Sequence, residues 1–342
     1  MSSGQYEILN TLGYANSDSM FAKALRGFDT DRNSDFIPPL RESMGYVFIT
    51  RPWMNTSYNN LASYRRLMNM YAEPSENTIG NYIRMTLDPP RSTRPAYKDI
   101  SLLDVFNPWI VLLTNQMQTC TGWPDRTMDY KVSEPGRLKE TTSIIVGTGR
   151  QYESFTLNME FRNIFGNVIG ALFGSWLDMM GEAHSEEVTP YEEAIDQNFK
   201  DYDVGIWRIV LDEKNKFVTH LAYTVGYPTV DSNGANLNYT KEDAFQKENE
   251  TYSIAFQCDG LLYQDPILPE VFNTVSGALD ATFSQSTDPK YLGGVDRDYY
   301  VKVTTPAERR IFVDKRPWIN TETRELEFYV PKSDYIAKFG AV

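Results

Sequence analysis

The feature that most constrains the fold is a long run of β-forming residues interrupted by one short polar turn. The run VGIWRIVLDEKNKFVTHLAYTVGYP, residues 204–228, places two segments rich in Val, Ile and Tyr on either side of Asp212-Glu213-Lys214-Asn215. Two such segments separated by a turn of this length are typical of a β-hairpin. Pro228 ends the second segment, because proline cannot donate to a strand ladder. The sequence therefore predicts an antiparallel hairpin at this place.

Two further segments alternate between apolar and polar residues, as half-buried strands do. Between them, GNVIGALFGSWLDMM has the apolar spacing of a helix with one buried stripe, which includes Trp176. Gly170 and Gly174, with Gly166, leave an edge where another backbone could approach closely. Asp178 interrupts a run that is too short for a membrane span, so we expect a packed helix and not a membrane dimer. The apolar faces of the two strands are Phe155, Leu157, Met159 and Phe161, and then Tyr252, Ile254, Phe256 and Cys258.

A proline-rich stretch, LDPPRSTRPAYKD, predicts a linker near residue 95, because proline removes strand donors and restrains the residue before it. We therefore expect an N-terminal extension over 1–95, a core over 96–285 and a C-terminal extension over 286–342. The first extension contains a strand candidate, GYVFIT, and a helix candidate, NNLASYRRLMNMYA. The second contains three strand candidates, DYYVKVTT, RRIFVD and ELEFYV.

One phrase occurs twice in the chain, as RPWMNT at residues 51–56 and as RPWINT at 316–321. Each copy follows an apolar segment that we interpret as a strand, VFIT or IFVD. Arg-Pro-Trp supplies neither a base nor a nucleophile, so a shared structural role is favoured over catalysis, and coincidence stays open. The residues concerned are Arg51, Trp53, Arg316 and Trp318. We expect the two extensions, each with one copy, to pack together.

Known catalytic and metal-binding patterns are absent from the sequence. Two cysteines and two histidines barely suffice for a zinc site, and there is no phosphate loop or nucleophile elbow. The stretch from Asp29 to Asp35 resembles the start of a calcium loop, but the glycine and glutamate that such a loop needs are missing. An acid pair for glycoside cleavage stays open, because the chain has 46 carboxylates. We therefore expect no enzyme, no metal and no cofactor.

The charge and the N-terminus exclude two further classes. A net charge of −13 argues against a protein that grips nucleic acid through its phosphates. The polar start MSSGQYEILN is not a signal peptide, and no apolar run approaches the length of a membrane span. We expect a protein that is made in a reducing cytoplasm.

The block from Leu211 to Tyr263 resembles the signature region of the tail tube proteins of contractile-tailed bacteriophages. Its features are the polar turn, the Tyr227-Pro228 strand end, Leu237-Asn238 in the next loop, and a final strand from Glu250-Thr251 to Gly260-Leu261. Upstream, a strand followed by a helix with Trp176 fits the same family's order. The resemblance covers residues 110–270. This chain departs from the family in two ways. It is longer than common tube proteins, and the aromatic-rich motif that usually precedes the proline is reduced to Gly-Tyr-Pro.

The resemblance implies a mainly β fold with α, namely a β-sandwich with a flanking helix. It further implies that six copies form a ring, that their strands join in an inter-subunit β-barrel around a channel, and that rings stack into a tube. The implied partners are further copies of the chain, a tail sheath protein, a tape measure protein, and phage DNA in a lumen lined with carboxylates that does not bind it tightly. The implied location is the virion, after assembly in the host cytoplasm.

Candidate residues follow from this interpretation. Gly170, Gly174 and Trp176 are candidates for helix packing. A tail completion or baseplate protein on the same scaffold, or a glycan-binding or glycan-cleaving virion protein, remains an alternative. The candidates for the subunit interface or tube wall are Phe155, Leu157, Ile206, Trp207, Phe217, Leu221, Tyr223, Tyr252, Ile254 and Phe256.

Overall fold

The chain divides into two units, Met1–Ser43 and Met44–Val342, and every described residue belongs to the second. The computed structural model describes residues 44–70, 76–94, 104–147, 153–185, 187–232, 234, 251–284 and 294–340. The calcium-like stretch at Asp29–Asp35, the Leu237-Asn238 pair and Glu250 lie outside these ranges. The predicted boundaries near residues 95 and 285 remain predictions.

The described residues form both strands and helices. The strands are β1 (Gly45–Ile49), β2 (Met117–Thr121), β3 (Tyr130–Val132), β4 (Ser143–Ile145), β5 (Ser154–Arg162), β6 (Val204–Leu211), β7 (Val218–Pro228), β8 (Thr251–Tyr263), β9 (Tyr300–Lys302), β10 (Arg316–Ile319) and β11 (Leu326–Pro331). The helices are α1 (Tyr58–Ser63), α2 (Ile79–Leu87), α3 (Pro89–Ser92), α4 (Val111–Gln116), α5 (Val168–His184), α6 (Glu192–Asp196), α7 (Leu268–Ser276), α8 (Ala281–Ser284), α9 (Pro306–Ile311) and α10 (Lys332–Phe339), with a 3₁₀ turn at Leu67–Met70.

The central element is a six-stranded antiparallel sheet in the order β1-β6-β7-β8-β5-β2. The predicted hairpin is confirmed as β6 and β7. In its turn, the Asp212 carboxylate accepts hydrogen bonds from the backbone N–H groups of Lys216 at 2.8 Å and Phe217 at 3.0 Å. These two bonds lower the pKa of Asp212. The polar turn thus sets the register of the hairpin.

One face of the sheet packs against α5, the predicted helix. Its apolar stripe meets the alternating residues of β5 and β8, and the rings of Phe173 and Trp176 stack with centroids 6.0 Å apart. Gly170 allows this contact, because a Cβ there would lie 2.7 Å from the Tyr252 hydroxyl. The close neighbour at this glycine is therefore a tyrosine side chain and not another backbone. Burying these rings supplies much of the apolar contact area of this core.

On the other face, the described elements cover mainly β1, β6 and β7. A three-stranded sheet, β10-β11-β9, and helix α7 pack there around Phe48, Trp109, Trp207 and Phe272. The rings of Trp109 and Phe272 stack with centroids 4.9 Å apart. Tyr46 and Phe328, from the two predicted extensions, also meet edge to face at 5.7 Å. The fold is mixed α/β and strand-rich. The β-sandwich remains a prediction.

The strand predicted at RRIFVD is wrong. Its first residues belong to α9, which starts with a capping box in which the Thr305 hydroxyl accepts from the Glu308 backbone N–H and the Glu308 carboxylate accepts from the Thr305 N–H. Pro306 at the first helical position favours the same start. The helix predicted at NNLASYRRLMNMYA is shorter than expected and ends at Ser63. None of the helices in the described ranges is both long and apolar enough to cross a bilayer.

Candidate subunit interface

A two-stranded ribbon projects from the end of the free strand β2. We call residues 123–146, which contain β3 and β4, the arm. Every residue of the arm from 125 to 146 is exposed. Tyr130 pairs with Ile145 and Val132 with Ser143, and neither strand pairs with the central sheet. An isolated two-stranded ribbon is marginally stable in water, so the arm lacks the packing that normally supports such an element.

The arm nevertheless carries large apolar side chains. Tyr130, Val132 and Ile145 share one face, since directly paired residues lie on the same side of a ribbon. Leu138 in its turn is 87% exposed. Contiguous exposed apolar groups are characteristic of protein–protein contact sites. The arm therefore has the chemistry of a surface that another chain covers.

The root of the arm is held firmly on the sheet. The guanidinium of Arg208 lies 4.6 Å from the centre of the Trp123 ring, and the Tyr263 hydroxyl donates to the Pro124 carbonyl at 2.7 Å. His220 contacts Arg208 at 3.1 Å, and burial together with Arg208 and Arg126 lowers the pKa of His220. A neutral imidazole can accept the hydrogen bond of the guanidinium. The root of the arm is thus fixed on the sheet.

Next to the arm root, half of the sheet has a bare face. On β5 and β8, the residues that point away from α5 are mostly polar, and no described element covers them. Within the described ranges, no strand pairs with the outer edge of β2. The residues of this bare face are Thr119, Thr121, Ser154, Thr156, Asn158, Glu160, Arg162, Thr251, Ser253, Ala255, Gln257 and Asp259.

The first copy of the repeated phrase places Arg51 in the interior. Its guanidinium donates to the carbonyls of Thr86 at 3.2 Å, Val105 at 3.0 Å and Asn107 at 3.2 Å. It also donates to the carbonyl of Met85 and to the Ser92 hydroxyl. Burial lowers the pKa of Arg51 to about 10. This side chain therefore joins α2, α3 and the segment 104–107 through backbone carbonyls.

The second copy places Arg316 in the interior as well. It forms a fork with the Asp104 carboxylate, with distances of 2.9 and 3.2 Å from Nη2, and it meets Asp280 at 2.6 Å. Burial alone would lower the pKa of Arg316, but Asp104, Tyr300 and Asp280 together raise it. Burial also acts to raise the pKa of Asp280, but hydrogen bonds from Tyr300 and Arg316 outweigh it and lower this pKa to about 2.

Both arginines thus hold the same short segment, residues 104–107, from two sides. The tryptophans differ, since Trp53 is 37% exposed and Trp318 only 7%. The second copy is itself a strand, β10, and does not follow one. The arginines, and not the tryptophans or the preceding strands, are what the two copies have in common.

The predicted interface residues lie in different surroundings. Phe217 is exposed at the hairpin turn, and Phe155 and Tyr223 are half-buried. Their role in contacts between subunits remains a prediction. The arm was missed because its apolar residues have no extended alternation. The predicted interface residues that are buried within the chain are Leu157, Ile206, Trp207, Leu221, Tyr252, Ile254 and Phe256.

Within the part of the chain that the structure describes, no cluster of His, Cys, Asp and Glu could hold a metal ion. Cys120 and Cys258 are free thiols, and burial raises the pKa of both. His184 and His220 lie on different elements, α5 and β7.

A strand-rich body with an exposed apolar arm is the build of a structural protein that associates with further chains. The chain matches the model of a family described as "Putative phage tail tube protein" over residues 2–340. Because this match spans nearly the whole chain, the protein belongs to the phage tail tube family and is a component of the phage tail. The resemblance seen in the sequence is confirmed.

Among solved structures, the chain is similar to the anti-feeding prophage tube-terminating cap, with 12% identity, a TM-score of 0.27, and coverage of 43% of this chain and 79% of that one. It is also similar to the PVC sheath/tube terminator of an extracellular contractile injection system, with 11% identity, a TM-score of 0.25, and coverage of 44% and 85%. It is similar as well to a chain of the PVC sheath-tube complex of an extracellular contractile injection system, with 9% identity, a TM-score of 0.27, and coverage of 46% of this chain and 82% of that one. Likenesses at this level say nothing about function. No curated protein matches the chain.

Replacing Arg51 with lysine is expected to lower the free energy of unfolding by about 3 kcal/mol, because an ammonium cannot reach all the carbonyls that the guanidinium satisfies. Urea denaturation measures the change. Arg65→Lys on the exposed surface is the matched control, with an expected change below about 0.5 kcal/mol. Equal stability of the two variants would refute the role given to Arg51.

Replacing Asp280 with asparagine is expected to cost about 2 kcal/mol at neutral pH. The pKa of Asp280 is about 2 in the folded chain, below its ordinary value, so the ionised carboxylate stabilises the fold above about pH 4 and this contribution is lost as the pH falls to about 2. The difference in unfolding free energy between wild type and variant should therefore shrink over that window. Asp334→Asn, on the surface, controls for the lost charge. A difference that is constant from pH 7 to pH 2 would contradict this assignment.

Proposed function

We propose that this protein is the inner tube subunit of a contractile phage tail. In this proposal, six copies form a ring, and rings stack into a tube inside a sheath protein. The observation that carries the proposal is the arm, a fully exposed apolar ribbon on a member of the tail tube family. Association would cover its apolar side chains and the unpaired edge of β2, both of which are liabilities in a monomer.

The arm favours a ring over a closed dimer. A ribbon that leaves one copy and lies on another makes a head-to-tail contact, in which the two partners use different surfaces. Such contacts repeat until a ring closes or a filament grows. The β-sandwich and the inter-subunit β-barrel of the family would arise where the bare half-sheets of neighbouring copies meet at the edge of β2.

The bare face of β2, β5 and β8 is suited to the wall of a channel for DNA. Its Ser, Thr, Asn and Gln side chains offer hydrogen bonds to water, and its charged residues are Glu160, Asp259 and Arg162. The two carboxylates outnumber the single guanidinium, so this face gives phosphates little counterion-release attraction and DNA would pass without being held. A net charge of −13 for the whole chain agrees with this role. A tape measure protein would occupy the same lumen before DNA.

The remaining surfaces would face outward. The two extensions contact each other through Tyr46 and Phe328, and they share the segment 104–107. We place them outside the ring, on the side of the sheath. The tube would assemble in the host cytoplasm and act in the virion as a structural part without catalytic activity.

Purified protein is expected to form stacked rings in negative-stain electron microscopy. Serine at both Tyr130 and Ile145 should abolish rings while the circular dichroism spectrum stays unchanged, because these side chains contact nothing that holds the monomer. Ile267→Ser, which removes another exposed apolar side chain, is the control. Monomers of the wild-type protein at high concentration would refute the proposal, and single rings that never stack would favour a tube-capping protein instead.

Lysine at both Thr156 and Gln257 is expected to make assembled tubes retain DNA. The two residues are paired across β5 and β8, so both new charges would point into the channel. Filter binding of a short DNA duplex measures the retention, which should fall steeply with added salt. Glu213→Lys, in the exposed hairpin turn, changes the net charge by the same amount and is the control. Equal retention by both variants would place the bare face outside the channel.

A further inference from the structure

A pocket of about 440 Å³ opens on the face of the central sheet that lies opposite α5. Four aromatic side chains contribute to its wall: Trp53, Phe199, Trp207 and Tyr223. Trp53 and Phe199 meet edge to face at 6.1 Å, and Trp207 and Tyr223 lie 4.3 Å apart. We call this the aromatic pocket. A pocket of this size and lining is large enough for one or two inserted side chains.

Two polar atoms in the wall have no hydrogen-bond partner. The indole N–H of Trp207 is completely buried, and Oδ1 of Asp203 is buried as well. A Cβ at Gly205 would lie 3.4 Å from the Trp207 Nε1 and 3.1 Å from the Tyr223 ring, so these side chains pack closely against the glycine. Both polar atoms lie behind the surface of the wall, so an occupant would reach them only if neighbouring side chains moved.

The pocket also has an excess of negative charge. Glu193, Asp201 and Asp203 line it, and Lys200 is 3.9 Å from the Asp203 carboxylate. Arg51 reaches the wall too, but its guanidinium is bound to backbone carbonyls. Burial raises the pKa of Asp203 to about 6, so this carboxylate is not fully compensated within the chain. An occupant with basic groups on an apolar stem would match this lining.

The turn of the arm has that chemistry. It presents Arg137-Leu138-Lys139, with Leu138 almost fully exposed between two cations. Glu140 also lies at the tip, where its carboxylate accepts the backbone N–H of Leu138 at 2.7 Å, so two cations and one carboxylate leave the tip with an excess of positive charge.

The arm root and the pocket lie on opposite faces of the sheet. Arg208, which holds Trp123 at the root, directly follows Trp207 in β6, and successive strand residues point to opposite sides. Fully extended, the segment from Trp123 to Leu138 would span at most about 50 Å, which is enough to reach a neighbouring copy. A contact between arm and pocket joins two different surfaces, as a head-to-tail assembly requires.

We propose that the arm tip of one copy inserts into the aromatic pocket of a neighbouring copy. Leu138 enters between the aromatic rings, and Arg137 and Lys139 pair with the carboxylates at the rim. This inference rests on the proposed function, because it specifies which surface receives the arm in the assembly.

Charge reversal tests the contact. The double variant Arg137→Glu and Lys139→Glu is expected to raise the concentration at which rings form by about tenfold or more. The new glutamates would face the carboxylates of the aromatic pocket and repel them. The double variant Glu193→Lys and Asp203→Lys should have the same effect, because its lysines would repel Arg137 and Lys139 of the arm tip. Mixing the two variants, or combining all four changes, should restore assembly. Lys131→Glu, on the arm away from its tip, is the control and should assemble like the wild-type protein.

Disulfide formation gives an independent measurement. One preparation carries Leu138→Cys and another carries Gln197→Cys, a residue that lines the pocket and is exposed, both in a Cys120→Ser background. Oxidation of the mixture should give a covalent dimer of the two variants in high yield. A mixture of the Leu138→Cys and Glu213→Cys variants is the control and should give little covalent dimer, because Glu213 lies in the hairpin turn and not in the pocket.

The outcomes separate the two proposals. Wild-type rings with no effect of charge reversal and no selective cross-link would overturn the arm–pocket contact and leave the proposed function standing. Failure of the wild-type protein to assemble under any condition would overturn both. Rescue by the combined reversal, together with the selective cross-link, would establish the contact.

Discussion

The structure depends on two buried arginines that hold one connecting segment. Arg51 binds the carbonyls of Val105 and Asn107, and Arg316 binds the carboxylate of Asp104. The residues that follow supply both cores: Trp109 packs between the sheets, and Ile110 packs on the α5 side. Losing either guanidinium would leave buried oxygen atoms without donors, and this cost is large in a medium of low polarity. The repeated phrase therefore marks the place where distant parts of the chain are joined.

The central sheet whose parts these arginines join has two unlike halves. Among the described residues, the half formed by β1, β6 and β7 is covered on both faces, whereas β2, β5 and β8 are covered mainly on the α5 side. Aromatic rings fill the core of the covered half. The proposed association uses the other half and the arm that follows β2.

Several parts of the fold could be predicted from local patterns. The hairpin, β5, α5 and β8 each have a clear period, and each occurs where the period indicated. The strand predicted at RRIFVD failed because a capping box and a proline at the helix start outweigh a short apolar run. That signal, Thr305 three residues before Glu308, was available in the sequence. The arm was not predictable in the same way, because an exposed Tyr130 or Ile145 has the same letters as a buried one.

By itself, the sequence determined the strand-rich class, the central hairpin, the packed helix and the family resemblance, since these depend on spacing between near neighbours. Only the tertiary structure decided that Arg51 and Arg316 meet one segment, that half of the sheet stays bare, and that the arm is exposed. The physical reason is that burial and partnership are properties of residues far apart in the chain. Arg316 and Asp104 are separated by 212 positions, and nothing local in either neighbourhood specifies the other.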